Sequence, residues 1–263
     1  MIKPEPSGKP VSNRARIVVR DVLGLAWPLF QVCLPTCLPL AMVGVAAGAT
    51  PGAETAASGE AYGYLHSREW WGVCVASLVL TLVCYGAMLR QQLGLAAGQR
   101  PQLLQSLRDA ARDVPAVLLL VAAWMVPLLP AFASTAWRGF DVLALLLTAA
   151  GSGLLLYALP AWPAMIAGNT TAWLALNRAI QLVRGRWLQF AGMALALAGG
   201  TLVFALLAGI LITLIMNLAG QGTHPTLGAL ALSRWLIALV LAVPVVYVGA
   251  VSVMAWRVAT RSC

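Results

Sequence analysis

The chain has 263 residues, of which 61% are hydrophobic and only 10% charged, and its mean hydropathy is +0.86. A soluble domain carries about 25% charged residues, so the balance excludes a water-covered globule and points to a solvent of lipid tails. The net charge of +9 would raise nucleic-acid binding in a soluble protein, but here the basic residues lie between apolar runs, and no nucleic-acid partner is expected.

In chain order, residues 1–21 read as a basic cytoplasmic tail, whose first ten residues carry Pro4, Pro6, Pro10, Lys3 and Lys9 and have the composition of a disordered segment. A transmembrane domain over 22–256 then contains six apolar runs, at 22–46, 70–89, 114–133, 142–167, 190–219 and 235–256. Each reaches the roughly 20 residues needed to cross about 30 Å of hydrocarbon, and none contains Asp, Glu, Lys or Arg. Residues 257–263 form a C-terminal tail. The expected fold is therefore all-α, a polytopic bundle of six transmembrane spans with short cytoplasmic amphipathic helices.

Orientation follows from the connections. With the N-terminus inside, the segments 1–21, 90–113, 168–189 and 257–263 hold fourteen of the seventeen Lys and Arg, while the outer loops hold only Arg68, Arg138 and Arg234. The eight acidic residues divide four and four. A bias in Lys and Arg without a matching one in the acids is the positive-inside pattern, which places both termini in the cytoplasm. A leader cleaved near Ala47-Gly-Ala49 would leave five spans in the same orientation, and charge counting does not choose between the two. A retained first span is preferred, because the run is long for a leader core and Pro28, Pro35 and Pro39 interrupt it. Tryptophans fall near the expected boundaries: Trp70, Trp71, Trp137 and Trp235 outside, Trp162, Trp187 and Trp256 inside.

Two inner segments have helical periodicity. In 101–114 Leu103, Leu107, Ala110, Ala111 and Val114 share a face opposite Gln105, Arg108, Asp109, Arg112 and Asp113. In 171–187 the stripe is Trp173, Leu176, Ile180, Val183 and Trp187. Both read as short helices lying at the bilayer surface. Arg108, Arg112, Arg178, Arg184 and Arg186 are then the residues expected to meet lipid headgroups or a partner. The segments share a loose pattern, Leu104-Gln-Ser-Leu-Arg-Asp-Ala-Ala-Arg112 and Leu174-Ala-Leu-Asn-Arg-Ala-Ile-Gln-Leu182, as parallel repeats in membrane bundles do.

The stretch Ala172-Trp-Leu-Ala-Leu-Asn-Arg-Ala-Ile-Gln-Leu-Val-Arg-Gly-Arg-Trp187, after Tyr157-Ala-Leu-Pro-Ala-Trp-Pro-Ala-Met-Ile166, resembles YciC-like bacterial integral membrane proteins, related to the membrane domain beside some glycerophosphoryl diester phosphodiesterases. The segment Gly98-Gln-Arg-Pro101 looks similar too, whereas Asn177 and Arg178 stand where that family usually has Ser. The resemblance implies six helices and a bacterial inner-membrane location, and it carries no catalytic residues.

Chemistry-bearing groups are sparse. The runs lack the ionisable residues that mark proton relays and coupled transport. Gln31 and Asn217 are expected to hydrogen-bond between helices, for about 0.6–2 kcal/mol each. The cysteines Cys33, Cys37, Cys74, Cys84 and Cys263 form no Cys-x-x-Cys pair, and His66 and His224 lack metal-ligand spacing. No cofactor, metal or catalytic group is expected, and the chain reads as a non-enzyme whose partners are the lipid bilayer and a membrane protein, itself included. The alternative is a small permease or export component, motivated by the proline-rich first span. Small residues at Gly192, Ala196 and Gly200 favour close helix packing or self-association.

Overall fold

A computed structural model describes residues 19–57, 68–125, 158–218 and 227–261. Among them the chain forms seven helices and no strand: α1 Val19–Ala57, α2 Arg68–Ala96, α3 Leu103–Met125, α4 Ala158–Gly168, α5 Ala172–Val183, α6 Trp187–Leu218 and α7 Leu227–Arg261. Four stretches are long and apolar enough to cross a membrane, namely Val19–Ala49, Glu69–Ala96, Trp187–Leu211 and Trp235–Thr260. These mark a helical membrane protein and correspond to the first, second, fifth and sixth apolar runs. Of the other two, 126–133 and 142–157 lie outside the described residues.

The core is built by α1, α2 and α7. Its buried side chains are small or flexible at the contacts, with Ala26, Cys33 and Cys37 from α1, Ala87 and Met88 from α2, and Ala242, Val246 and Ala250 from α7. Without a hydrophobic driving force between helices in lipid, such residues gain stability by letting backbones approach and dispersion contacts accumulate. Polar cross-links add to this. Thr81 Oγ1 donates to Gly44 O at 3.1 Å, Cys37 Sγ to Met88 O at 3.8 Å, and Tyr247 OH to Leu23 O at 3.4 Å. Trp27, Phe30 and Tyr247 form an aromatic cluster joining α1 to α7.

Helix α1 passes unbroken through Pro28, Pro35 and Pro39 and carries all three on its exposed face. The missing N–H bonds are tolerated there because the rest of the turn stays paired and no neighbour is crowded. Gln31 lies on the same face, exposed, so the expected interhelical hydrogen bond is not formed among the described residues. The face buried against the bundle runs through Leu29, Cys33, Cys37 and Leu40, and Gln31 points away from it. Asn217 is in the last turn of α6, and its side chain lies outside the described residues.

Both expected amphipathic segments are helical, and each buries a face that overlaps the one its periodicity marks, at Ala110 and Val114 in the first and Val183 in the second, but is rotated from it. Helix α3 does not stop at 114; it continues through Pro115 to Met125. Its buried stripe is Ser106, Ala110, Val114, Val117 and Leu120, while Leu103 and Ala111 are exposed. The packing of the later turns sets the face, and traced back it brings a serine inward. Helix α5 buries Ala172, Ala175, Ala179 and Val183. Trp173 is 70% exposed, and Ile180 and Trp187 also face outward. Methyl side chains admit a closer helix approach than indoles do, so the alanine face meets the bundle. Trp162, expected at a headgroup boundary, is instead buried with its ring centroid 4.7 Å from that of Tyr85.

Candidate functional site

The turn between α2 and α3 organises one end of the bundle. Helix α2 ends in a Schellman motif: Gly98 N–H bonds to Leu95 O, Gln99 N–H to Gly94 O at 2.9 Å, and Gly98 sits at φ 77°. The chain then folds back so tightly that a Cβ on Gly94 would lie 2.7 Å from the Pro101 ring. Glycine is required at 94 for that approach. Gln91 Nε2 fastens the turn by donating to Pro101 O at 3.3 Å and to Ser106 Oγ at 3.0 Å. Ser106 Oγ in turn donates to Gln102 O.

Three consecutive residues of α2 address three different neighbours. Arg90 pairs with Asp113 of α3 and lies 4.0 Å from Asp109. Gln91 holds the turn. Gln92 is fully buried, donating from Nε2 to Val246 O of α7 at 2.9 Å and to Cys33 Sγ of α1 at 3.7 Å. Gly249 leaves the space Gln92 needs, since a Cβ there would be 2.6 Å from its Oε1. That oxygen has no hydrogen-bond partner, a desolvation cost of about 1–3 kcal/mol that the two donor bonds offset. From α7, Arg257 donates to Ala96 O at the C-terminus of α2, where orphan carbonyls and the helix dipole both favour a cation.

These groups border a cleft of about 610 Å³. Arg90, Arg100 and Arg257 line it beside Asp109, with Gln99, Gln102, Gln105 and Ser106 as further polar groups and Leu93, Ile166 and Trp256 as apolar wall. Among the described residues Arg100, which is exposed, has no ion-pair or hydrogen-bond partner, and Arg90 Nε is buried without one. The lining carries three cations against one anion, so the cleft is positive. Two other cavities, of about 340 and 320 Å³, are almost wholly apolar; one borders the Trp27–Tyr247 cluster and the other lies between α1 and α2.

The arginines singled out from periodicity are not in this cleft. Arg108, Arg112, Arg178 and Arg184 are exposed, and Arg186 is half-buried. Arg178 lies over Gly168 at the end of α4, where its Nη1 would be 2.7 Å from a Cβ. They share the end of the molecule that holds the cleft without lining it. Arg90, Arg257, Gln91 and Gln92 went unremarked as site residues. The signal was the apolar pattern resuming after Arg90-Gln-Gln, at Leu93, Leu95 and Ala96, which extends α2 past its expected end and carries the three polar residues into the bundle. Among the described residues no cluster of three or more His, Cys, Asp or Glu is placed to hold a metal. No known protein family, curated protein or solved structure matches the chain.

Proposed function

We propose that the chain is a non-catalytic, multi-pass protein of a bacterial inner membrane, with six spans and both termini in the cytoplasm, that acts through lipid or protein partners met at its arginine-rich end. The observation that carries this reading is the contrast between the two kinds of surface. The spans present apolar side chains outward, while Arg90, Arg100 and Arg257 meet at the cleft and Arg108, Arg112 and Arg178 lie on helices that flank it; Arg68 and Arg234, toward the other ends of α2 and α7, stand apart. Charge gathered at one boundary of an apolar body is what a protein held in a bilayer needs for contacts with acidic headgroups or a cytosolic partner. On this reading the outward Trp173, Ile180 and Trp187 of α5 sit in the interfacial layer with Arg178 and Arg184 beside them. The YciC-like resemblance of 172–187 belongs to the same proposal and rests on the sequence motif. The permease reading gains no support from α1, whose three prolines leave the helix continuous and line none of the three cavities described.

Photo-crosslinking in cells tests this. A crosslinker at Gln105, in the cleft, should recover a defined lipid or protein, whereas one at Leu206, on the exposed face of α6, should recover bulk lipid only. Identical bulk products from both sites, together with solute flux in proteoliposomes, would overturn the reading.

A further inference from the structure

We infer that the cleft between the α2–α3 turn and the C-terminal end of α7 is a binding site for a phosphate ester, carried either by an anionic phospholipid headgroup or by a soluble metabolite. The inference rests on the reading that this end is the working face, and it adds the ligand's chemistry. Phosphate is recognised by convergent guanidinium groups, whose planar forks match its oxygens. Three such groups arrive here from two helices and the turn, Arg90 from α2, Arg257 from α7 and Arg100 from the turn itself. Arg90 is already engaged: Asp113 and Asp109 face its terminal nitrogens and its Nε is buried, so it adds charge to the wall of the cleft rather than free donors. Arg257 is anchored by one bond to Ala96 O, which leaves most of its five donors for a ligand. Arg100 has no partner at all among the described residues.

Asp109 does not cancel this field. Asp113 and Asp109 both stand against Arg90, so three arginines face two carboxylates and one positive charge remains in surplus, carried on the side of Arg100 and Arg257. Gln99, Gln102 and Gln105 supply neutral donors for the ester and hydroxyl oxygens of a headgroup. The apolar side of the cleft, Leu93, Ile166 and Trp256, suits the glycerol and first methylenes of a lipid. A volume of about 610 Å³ has room for a phosphate and a glycerol together.

The full chain, purified in detergent and placed in nanodiscs, tests the inference in two arms. In the lipid arm, nanodiscs of phosphatidylglycerol are compared with phosphatidylcholine, and retained lipid is counted by native mass spectrometry after delipidation. In the soluble arm, phosphatidylcholine nanodiscs receive millimolar glycerol 3-phosphate or inorganic phosphate, and the melting temperature is read. Retention of phosphatidylglycerol identifies a membrane source, and a rise in melting temperature with glycerol 3-phosphate identifies a soluble one. In the responding arm Arg100→Gln should weaken binding about tenfold, the loss of one charge-assisted contact. Arg68→Gln, which removes the same charge at the start of α2 and so at the opposite end of that helix from the cleft, should leave it unchanged. Arg100 is exposed and makes no hydrogen bond or ion pair among the described residues, so its variant is expected to fold, and an unaltered melting temperature without ligand verifies this. No response in either arm, or equal loss from Arg68→Gln, overturns the phosphate site. The proposed function would survive that result if crosslinking at Gln105 still recovered a protein partner, and would fall with it only if that too returned bulk lipid.

Discussion

The two turns α2 to α3 and α4 to α5 begin alike and end differently. Each opens with a Schellman closure, at Gly98 in the first and at Asn169 in the second, where Asn169 sits at φ 43° and Thr170 N–H reaches Met165 O at 3.2 Å. Each then enters a helix that the sequence marks as amphipathic. Beyond that point α3 runs on for 23 residues into the bundle, while α5 stops after 12 at Gly185, which has φ 81°. The first turn is fastened by Gln91, Ser106 and the Gly94–Pro101 contact, and a polar cleft opens beside it. The second is held by a face of alanines. A shared backbone closure therefore does not confer a shared role; the side chains that brace the turn decide whether a site forms.

The largest effect should come from breaking the brace. Gly94→Val forces a branched side chain into the Pro101 ring and should destabilise by about 1–3 kcal/mol, as overpacking does, seen as a lower melting temperature in detergent. An unchanged melting temperature would mean the turn is looser than the contact implies. Gly98→Ala comes next, at about 1–2 kcal/mol for a Cβ in the left-handed region, and Asn169→Gly at the matching position should cost nothing measurable. A cost at Asn169 equal to that at Gly98→Ala would erase the distinction between the turns. Asp113→Asn removes the partner of Arg90, but both side chains are partly exposed, so the loss should stay within about 1 kcal/mol. High salt should shrink the difference between wild type and variant; a salt-independent gap would point to packing. Gly98→Asn retains a residue tolerant of positive φ and should shift stability by only a few tenths of a kcal/mol.

Much of the helical content was legible from apolar runs, because α1, α2, α6 and α7 are long and their composition leaves no other economical structure in lipid. The faces were less legible. Periodicity ranks residues by hydrophobicity, and in α5 the most hydrophobic stripe, with Trp173 and Trp187, faces outward while alanines face inward. In a bilayer both sides of a helix are apolar, and size rather than polarity separates interior from exterior. The same reasoning explains Gln31 and Gln92. Two glutamines of similar setting in the sequence go to opposite surroundings, one exposed and one fully buried, because Gly249 opens a space for the second. The cleft could not be read in advance, since Arg90, Arg100 and Arg257 come together only when a turn and the end of a helix more than 150 residues later meet, as the Arg257 to Ala96 bond across 161 positions records.

Helix α6 carries a consequence of its own. Only 6% of its apolar window is buried, against 44% for α7, and Leu195, Leu206, Leu207 and Ile210 all stand outward. Among the described residues its neighbours cover little of it, so its transfer into the bilayer draws mainly on its own greasiness. Its outward positions are then free to drift among leucine, isoleucine, valine and phenylalanine over evolutionary time, while an arginine at Leu206 would raise the cost of insertion by about 3–4 kcal/mol.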